Sequence, residues 1–243
     1  MPIFLAEFFG TFLLILLGNG VTANAILPET KGENGGWIVI TAGWAFAVVF
    51  GITLIGSISG AHMNPAITLA FLLANKIPLG NVPYYLAGEF SGAFFGSMLV
   101  FLLYKNHFVS PLKDPKFKLM SFCTSPQYPT KWINFLTEAV GTFVLVITVF
   151  AIIDPMNQLA SGLHGLLIGL AVFSIGLSLG GTTGYAINPA RDLAPRLVHQ
   201  IIQYPGKVSS EWSYAWIPFF GPLVGAALGK WIYFSFIETL LGV

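Results

Sequence analysis

The sequence contains little charge. Only 9% of its 243 residues are Asp, Glu, Lys or Arg, whereas 55% are hydrophobic and the mean hydropathy is +0.78. A soluble domain typically carries about 25% charged residues, so this composition excludes an ordinary soluble protein and predicts an integral membrane protein. The formal net charge of +1 provides no basic surface of the kind that binds nucleic acid, and we expect no such partner.

Residues for covalent or metal chemistry are also scarce. The single cysteine, Cys123, excludes an intrachain disulfide and any metal cluster built on cysteines, and we expect an unremarkable thiol in a polar connection. No nucleophile–base pair or nucleotide motif is recognisable, so we expect no enzyme activity, metal or cofactor. No Lys or Arg precedes the first apolar run, which we therefore expect to remain as a membrane helix rather than to be cleaved as a signal peptide.

Hydrophobic stretches long enough to cross a bilayer recur along the chain. A spanning helix needs about 20 residues, and six stretches qualify, at about 3–25, 37–58, 83–104, 132–153, 161–180 and 214–237. The longest connection, 105–131, is rich in Lys and Pro. The expected fold is an all-α membrane protein with a single channel domain, 1–243, whose halves, about 1–104 and 132–243, are joined by that loop.

Three motifs occur in the same order in both halves. Each half opens with Glu-x-x-Gly-Thr-Phe, at Glu7 and Glu138. Each continues with Gly-x-x-x-Asn-Pro-Ala-x-x-Leu-Ala, at 60–70 and 184–194. Each ends in a span with glycine at every fourth position, which lets helix backbones approach closely. An odd number of spans per half places the two copies in opposite orientations, so we predict an inverted 3+3 repeat.

The paired motifs predict two re-entrant half-helices. Asn caps free backbone N–H groups and Pro fits the first helical position, so a helix should begin at each box, Asn64-Pro65-Ala66 and Asn188-Pro189-Ala190. About 11 apolar residues follow, or about 16 Å of helix, which is half a bilayer. Irregular backbone at the midplane is tolerated where it is buried or lines a water-filled cavity. We therefore expect a pore lined by the carbonyl groups of Gly60, Ala61, His62, Met63, Gly184, Tyr185 and Ala186.

Arg191 breaks the local rules for a helix start. It would lie in the first turn of the second half-helix, where the helix dipole favours anions, and inside a membrane segment, where charged residues are rare and functional. We interpret it as a pore residue; the alternatives are that it snorkels to the interface or pairs with Asp192. The two positive helix ends and the Asn amides should repel cations and interrupt proton transfer, which suits a neutral hydroxylated solute or water.

Two carboxylates lie within predicted spans. Glu7 and Glu138 could form a proton relay, as in pumps, but neither has a basic partner at helical spacing. We prefer the hypothesis that each braces the re-entrant loop of its half by accepting backbone N–H bonds. Asp192 is expected to anchor a loop or to offset charge. His62 could be a metal ligand, but no Cys/His cluster accompanies it, and a carbonyl contribution to the pore is the better interpretation.

Together these features resemble a known family. Over essentially its whole length the chain is similar to the major intrinsic proteins, the aquaporins and glycerol facilitators, in its six spans, its paired Asn-Pro-Ala boxes, the segment 59–66 and the Glu-x-x-Gly-Thr-Phe repeats. Asp192 directly after Arg191 resembles the glycerol facilitator branch, where strict water channels usually have Ser. Arg196 and Pro218 agree with that branch, whereas Phe219 departs from it.

The resemblance implies a selectivity filter. By motif position, the filter of the family falls on Trp44, Gly176, Tyr185 and Arg191. Trp44 and Tyr185 would form an apolar corner for a carbon chain. Gly176 would make room, and Arg191 would donate to hydroxyl groups. Facilitators most often have Phe at position 185, so the extra hydroxyl of Tyr185 leaves open how well glycerol is preferred over smaller polar solutes.

The resemblance further implies a passive channel in the plasma membrane for glycerol and other small neutral solutes, with some water, assembled in the lipid bilayer as a homotetramer. Alternatives are a channel mainly for water, urea, protonated lactic acid or hydrogen peroxide, and a proton-coupled transporter that uses Glu7 and Glu138. The family has cytoplasmic termini. The five Lys residues of the 105–131 loop favour the opposite orientation under the positive-inside rule, and we adopt the family topology.

Overall fold

The structure, a computed structural model, describes residues 1–111, 114–160, 162–237 and 240. The described residues form α-helices and no strand. The helices are α1 Pro2–Ile26, α2 Gly36–Ser59, α3 Pro65–Leu73, α4 Val82–Leu103, α5 Lys105–Val109, α6 Lys116–Met120, α7 Lys131–Ile153, α8 Leu163–Leu179, α9 Pro189–Ile201 and α10 Trp216–Ile232. Short 3-10 turns occur at Leu79–Asn81 and Pro155–Asn157, and a π-helical turn at Tyr233–Ile237. The expected start of the fifth span at 161, and positions 112–113, 238–239 and 241–243 of the expected domain, lie outside the described residues.

Five of the helical segments are long and apolar enough to cross a membrane, namely Pro2–Ile26, Gly36–Ser59, Leu79–Leu103, Lys131–Ile153 and Trp216–Phe236. α8, which corresponds to the fifth predicted span, has 17 residues, the lower end of the range for a spanning helix. The sixth predicted span, 214–237, is regular only as far as Ile232, after which the π-helical turn begins.

The glycine ladders bring two pairs of spans into backbone contact. α4 packs against α1, and α10 packs against α7. A methyl group on Gly96 would lie 2.6 Å from the carbonyl oxygen of Phe12, and one on Gly229 would lie 3.1 Å from the carbonyl oxygen of Phe143. Any larger residue at these positions would force the paired helices apart. The same close helix pair therefore depends on its glycines in each half.

The half-helices α3 and α9 lie between these pairs. α3 packs against α10, and α9 packs against α4, so each half-helix is enclosed by the ladder helix of the other half. α3 and α9 also contact each other. The two re-entrant segments therefore meet inside the protein.

The 105–131 connection is more ordered than a loop. It contains α5 and α6, and some of its described apolar side chains join a buried cluster with residues of α4 and α9. Phe108 and Phe122 are fully buried there. Cys123, which we expected in polar surroundings, is also buried in this cluster, because the segment after α6 folds against the protein instead of extending into solvent.

Candidate functional site

The two half-helices begin opposite each other and exchange hydrogen bonds. Asn64 and Asn188 cap their own helices through Oδ1. Asn64 Nδ2 donates to the carbonyl of Ile187 at 2.8 Å, and Asn188 Nδ2 donates to the carbonyl of Met63 at 2.7 Å. Each amide nitrogen carries two hydrogens, so one N–H of each Asn remains for another acceptor.

The backbone that precedes each Asn has the same unusual conformation. Ala61 and Met63 have φ values of 54° and 50°, and Tyr185 and Ile187 have φ values of 39° and 43°. Left-handed values are uncommon for residues with a side chain and cost about 1–3 kcal/mol each. The same two positions are strained in both halves, so the strained conformation is a shared feature of the two re-entrant loops. Interactions with other parts of the protein must stabilise it.

Glu7 supplies that support in the first half. Its carboxylate accepts hydrogen bonds from the Ser59 hydroxyl at 2.6 Å, from the His62 N–H at 3.0 Å and from the Met63 N–H at 2.6 Å. Glu7 is fully buried, so these donors would otherwise be unpaired at a cost of about 1–3 kcal/mol each. The carboxylate thus offsets the strain at Met63.

Glu138 makes the matching contacts in the second half. It accepts from the Thr183 hydroxyl at 2.6 Å, from the Ala186 N–H at 3.0 Å and from the Ile187 N–H at 2.8 Å. Glu138 is also fully buried. Neither Glu138 nor Glu7 is among the described residues that line the two cavities at the half-helices.

Those two cavities meet at three side chains. The first, here called the pore cavity, has a volume of about 110 Å³ and passes both Asn-Pro-Ala boxes. The second, here called the vestibule, has a volume of about 350 Å³ and lies against the 105–131 connection. Trp44, Tyr185 and Arg191 line both cavities, and we call this set the constriction.

All seven residues expected to contribute carbonyl groups line these cavities. The pore cavity is lined by Gly60, Ala61, His62, Met63, Tyr185 and Ala186, and the vestibule by Gly184. The two Asn side chains belong to the pore cavity, whereas the Pro and Ala residues of both boxes are buried in the first turns of their helices.

Arg191 stacks on Trp44 within the constriction. Its guanidinium carbon lies 4.1 Å from the centroid of the Trp44 ring, whose Nε1 donates to the Thr22 hydroxyl at 3.0 Å. Arg191 Nη1 is buried and has no hydrogen-bond partner among the described residues. A buried donor without a partner is costly, and this N–H is available to an acceptor in the pore cavity.

Asp192 is not the counter-ion of Arg191. Its Oδ2 accepts from the backbone N–H of Thr124 at 2.8 Å and from the Thr124 hydroxyl at 2.6 Å. Its Oδ1 accepts from Arg196 Nε at 2.9 Å and Nη2 at 2.7 Å. Arg196 is fully buried and also donates to the carbonyls of Thr124 and Ser210. This network ties the connections around Thr124 and Ser210 to α9, and Arg191 forms no ion pair among the described residues.

Gly176 lies behind the constriction. It lines neither cavity among the described residues. A methyl group at this position would lie 2.9 Å from Cζ of Tyr185 and 2.8 Å from Cγ2 of Thr41. Our expectation that Gly176 makes room for a solute is therefore modified, because the space left by its missing side chain is occupied by the Tyr185 ring.

Comparison of the sequence with models of known protein families shows which family contains this chain. The family model described as "Major intrinsic protein" matches residues 2–233. The chain belongs to the major intrinsic protein family. The resemblance inferred from the motifs is thereby confirmed.

Members of this family that are similar to the chain include two bacterial facilitators. The "Probable glycerol uptake facilitator protein" of Thermotoga maritima is 51% identical over 96% of this chain and 98% of its own length. The "Glycerol uptake facilitator protein" of Streptococcus pneumoniae R6 is 45% identical over 95% of this chain and 97% of its own length.

A solved structure of the family matches the fold. The X-ray structure of the aquaglyceroporin from Plasmodium falciparum superposes with a TM-score of 0.88, at 31% identity, and covers 99% of this chain and 98% of its own. The predicted fold, an all-α membrane protein with six spans and two half-helices in an inverted repeat, is confirmed.

Sequence reasoning missed one buried carboxyl group, that of Glu89. Glu89, in the middle of α4, is fully buried and accepts a hydrogen bond from the Thr68 hydroxyl at 2.7 Å. Thr68 in turn lies 2.9 Å from Nδ1 of His62, whose ring stacks on Tyr85 at 4.3 Å. The signal was present, since a carboxyl group within a predicted span is itself informative. No group of side chains that could hold a metal occurs among the described residues.

Trp37 was also missed. It is partly buried at the start of α2, lines the vestibule and donates a hydrogen bond from Nε1 to the Gly176 carbonyl at 2.9 Å. Its position seven residues, or about two turns, before Trp44 places it on the same face of the helix. That spacing was the available signal.

Proposed function

We propose that this protein is a passive channel for glycerol and similar small neutral solutes, with some water, and that it excludes ions and protons. The constriction carries this proposal. Two aromatic rings, Trp44 and Tyr185, lie where the two cavities meet, together with the buried guanidinium of Arg191, whose Nη1 has no hydrogen-bond partner in the described part of the chain. The relatives named glycerol uptake facilitators support the same solute.

A polyol has one apolar and one polar edge, and the constriction offers a surface for each. The rings of Trp44 and Tyr185 provide apolar contact for the carbon chain, while Arg191 donates to a hydroxyl oxygen. Further along the pore cavity, Asn64 and Asn188 each have one N–H left for a second hydroxyl. The carbonyl groups that precede each box complete a path that replaces the hydration shell of the solute.

The same groups oppose ion conduction. The N-termini of α3 and α9 place two partial positive charges at the Asn pair, and Arg191 adds a full charge, so a cation is repelled. No Asp or Glu is among the described residues that line the pore cavity, and most of its lining is aliphatic or aromatic. Such a lining cannot replace the hydration shell of an anion.

Stopped-flow light scattering on proteoliposomes tests the proposal. After a glycerol step, we expect shrinkage followed by re-swelling that is much faster than in empty liposomes, and an impermeant osmolyte should produce shrinkage alone. Glycerol re-swelling no faster than in empty liposomes contradicts the proposed solute. The same liposomes with an imposed pH gradient test the alternative of proton coupling through Glu7 and Glu138, which predicts glycerol accumulation along the gradient.

We also propose a homotetramer in the plasma membrane with cytoplasmic termini. One face of α2 carries large apolar side chains at four-residue spacing, each more than half exposed: Phe46, Phe50, Leu54 and Ile58. Such a row requires lipid or another subunit as a neighbour. Native mass spectrometry tests the tetramer. Because Cys123 is buried, labelling of a cysteine added at the N-terminus by a membrane-impermeant reagent tests the orientation.

A further inference from the structure

Trp37 links two spans at the mouth of the pore. It lies in α2, two turns before Trp44, and its indole N–H donates to the carbonyl of Gly176 in α8 at 2.9 Å. The hydrogen bond joins residues 139 positions apart in the sequence. The indole also lines the vestibule. It therefore stands beside the constriction without belonging to it.

The Tyr185 ring fills the space between Trp37 and α8. The Trp37 and Tyr185 rings meet edge to face, with centroids 5.7 Å apart and planes inclined by 77°. On the α8 side, a methyl group on Gly176 would lie 2.9 Å from Cζ of Tyr185, and one on Gly180 would lie 2.6 Å from its Cδ1. The ring is thus packed against two glycines on one side and against Trp37 on another.

Packing is what holds the far end of this ring. The backbone of Tyr185 is fixed by its left-handed φ of 39° and by the bond from the next N–H, that of Ala186, to Glu138. The Tyr185 hydroxyl, in contrast, is buried and has no hydrogen-bond partner among the described residues. With no hydrogen bond at its tip, the ring is kept in place by α8 and by the edge of Trp37.

We propose that Trp37 is a positioning residue that holds the Tyr185 ring against α8 and thereby sets the width of the constriction. This inference rests on the proposed function, since it assumes that small neutral solutes pass between Tyr185, Trp44 and Arg191. Trp37 acts through Tyr185 and needs no contact with the solute. The size limit for linear polyols therefore depends on a side chain outside the filter.

Permeability to polyols of increasing length tests this role. We would measure water, urea, glycerol and erythritol flux by stopped-flow light scattering for the wild type, Trp37→Leu and Trp37→Phe. In Trp37→Leu the Tyr185 ring loses its support, and we expect the erythritol-to-glycerol permeability ratio to rise by about threefold or more, the size expected from the loss of one aromatic pair. Trp37→Phe keeps a ring but loses the N–H, so a smaller rise is expected.

The matched control is Trp132→Leu, which removes an indole that is 68% exposed at the start of α7 and should leave the ratio unchanged. An unchanged ratio in folded Trp37→Leu protein overturns the proposal. If Trp37→Leu yields no folded protein by size-exclusion chromatography, Trp37→Phe decides alone, and a wild-type ratio there overturns it. Wild-type liposomes that conduct water but not glycerol contradict the proposed function, and the urea-to-water ratio of the variants then decides the role of Trp37.

Discussion

The two halves of the protein hold their re-entrant loops alike but line the pore differently. Glu7 and Glu138 each accept one hydroxyl and two backbone N–H groups from the loop of their own half, with distances that agree within 0.2 Å at matching positions. The strained φ values recur at matching positions as well. The loop scaffold is therefore a property of both halves.

The pore lining does not follow this repeat. The positions that match Trp44, Gly176, Tyr185 and Arg191 in the other half, counted from the Asn of each box, are Ile168, Ile52, Ala61 and Ile67. All four of these line the pore cavity. The rings and the charge thus come from both halves, Trp44 from the first and Tyr185 and Arg191 from the second, whereas the matching positions bear small and aliphatic side chains. The repeated loops frame the pore cavity, and the departures from the repeat lie at the proposed selective contacts, where the pore cavity meets the vestibule.

The half-helices differ in the same way. Asp192 and Arg196 of α9 form a buried ion pair at 2.7 Å, whereas the matching positions of α3 are Thr68 and Leu72. Thr68 instead donates to Glu89. The helix that bears Arg191 is therefore tied to its surrounding connections by an ion pair, and its copy is tied to α4 by the hydrogen bond from Thr68 to Glu89.

The largest effect should come from breaking the scaffold that the halves share. In Glu7→Ala and Glu138→Ala, one hydroxyl and two N–H groups lose their acceptor, at about 1–3 kcal/mol each, which approaches the whole stability of a typical domain. We expect both variants to yield little folded protein by fluorescence-detected size-exclusion chromatography. The corresponding Gln variants keep one acceptor oxygen and should give a higher yield of folded protein than the Ala variants. Normal yield of one Ala variant would show that the two loops are not equivalent.

A smaller loss of stability is expected from the ion pair found in one half only. Arg196→Leu leaves the buried Asp192 carboxylate without its partner and should destabilise the protein by about 3–5 kcal/mol. The double variant Asp192→Thr/Arg196→Leu copies the pair of α3 and should recover part of that loss. Thermal unfolding in detergent measures both. If the double variant is less stable than the single one, the Thr–Leu pair of α3 cannot replace the ion pair in α9.

Arg191→Val tests the charge at the constriction. Removal of the guanidinium lowers the electrostatic barrier, and we expect proton or cation leakage to rise about tenfold, which corresponds to about 1.4 kcal/mol of barrier, together with weaker discrimination among solutes. Ile67→Val, at the matching position of the other half, is the control and should leak no more than the wild type. Liposome assays with a pH-sensitive dye measure the leakage. Equal leakage in all three proteins would assign Arg191 a structural role.

The smallest effect should come from the Tyr185 hydroxyl. Tyr185→Phe removes a hydroxyl group that has no hydrogen-bond partner within the described ranges, and it makes the ring more apolar. The glycerol-to-urea permeability ratio should therefore rise by about two- to threefold, the worth of one modest hydrogen bond. Tyr128→Phe, at a position that is 73% exposed, is the control. A ratio that falls in Tyr185→Phe would show that the hydroxyl binds glycerol in preference to urea.

Much of the fold could be predicted from the sequence because its signals are local and repeated. Six apolar runs and two Asn-Pro-Ala boxes specify spans and half-helices through length and capping chemistry alone. The placement of Arg191 beside Trp44 was implied by the resemblance to the family, carried over by motif position. The role of Gly176 did not, since it depends on how the Tyr185 ring turns in three dimensions. The burial of Cys123 was equally invisible, because it requires a Lys-rich connection to fold back on the protein.

The crossed hydrogen bonds of the two Asn side chains have a consequence for biogenesis. Asn64, from the first half, binds the carbonyl of Ile187, and Asn188, from the second half, binds the carbonyl of Met63. Neither loop has its full set of partners until both halves are in the membrane. The first re-entrant segment therefore lacks its hydrogen-bond partners from the second half until the ribosome has added more than 120 further residues. The contact between the two half-helices must then form late in membrane insertion.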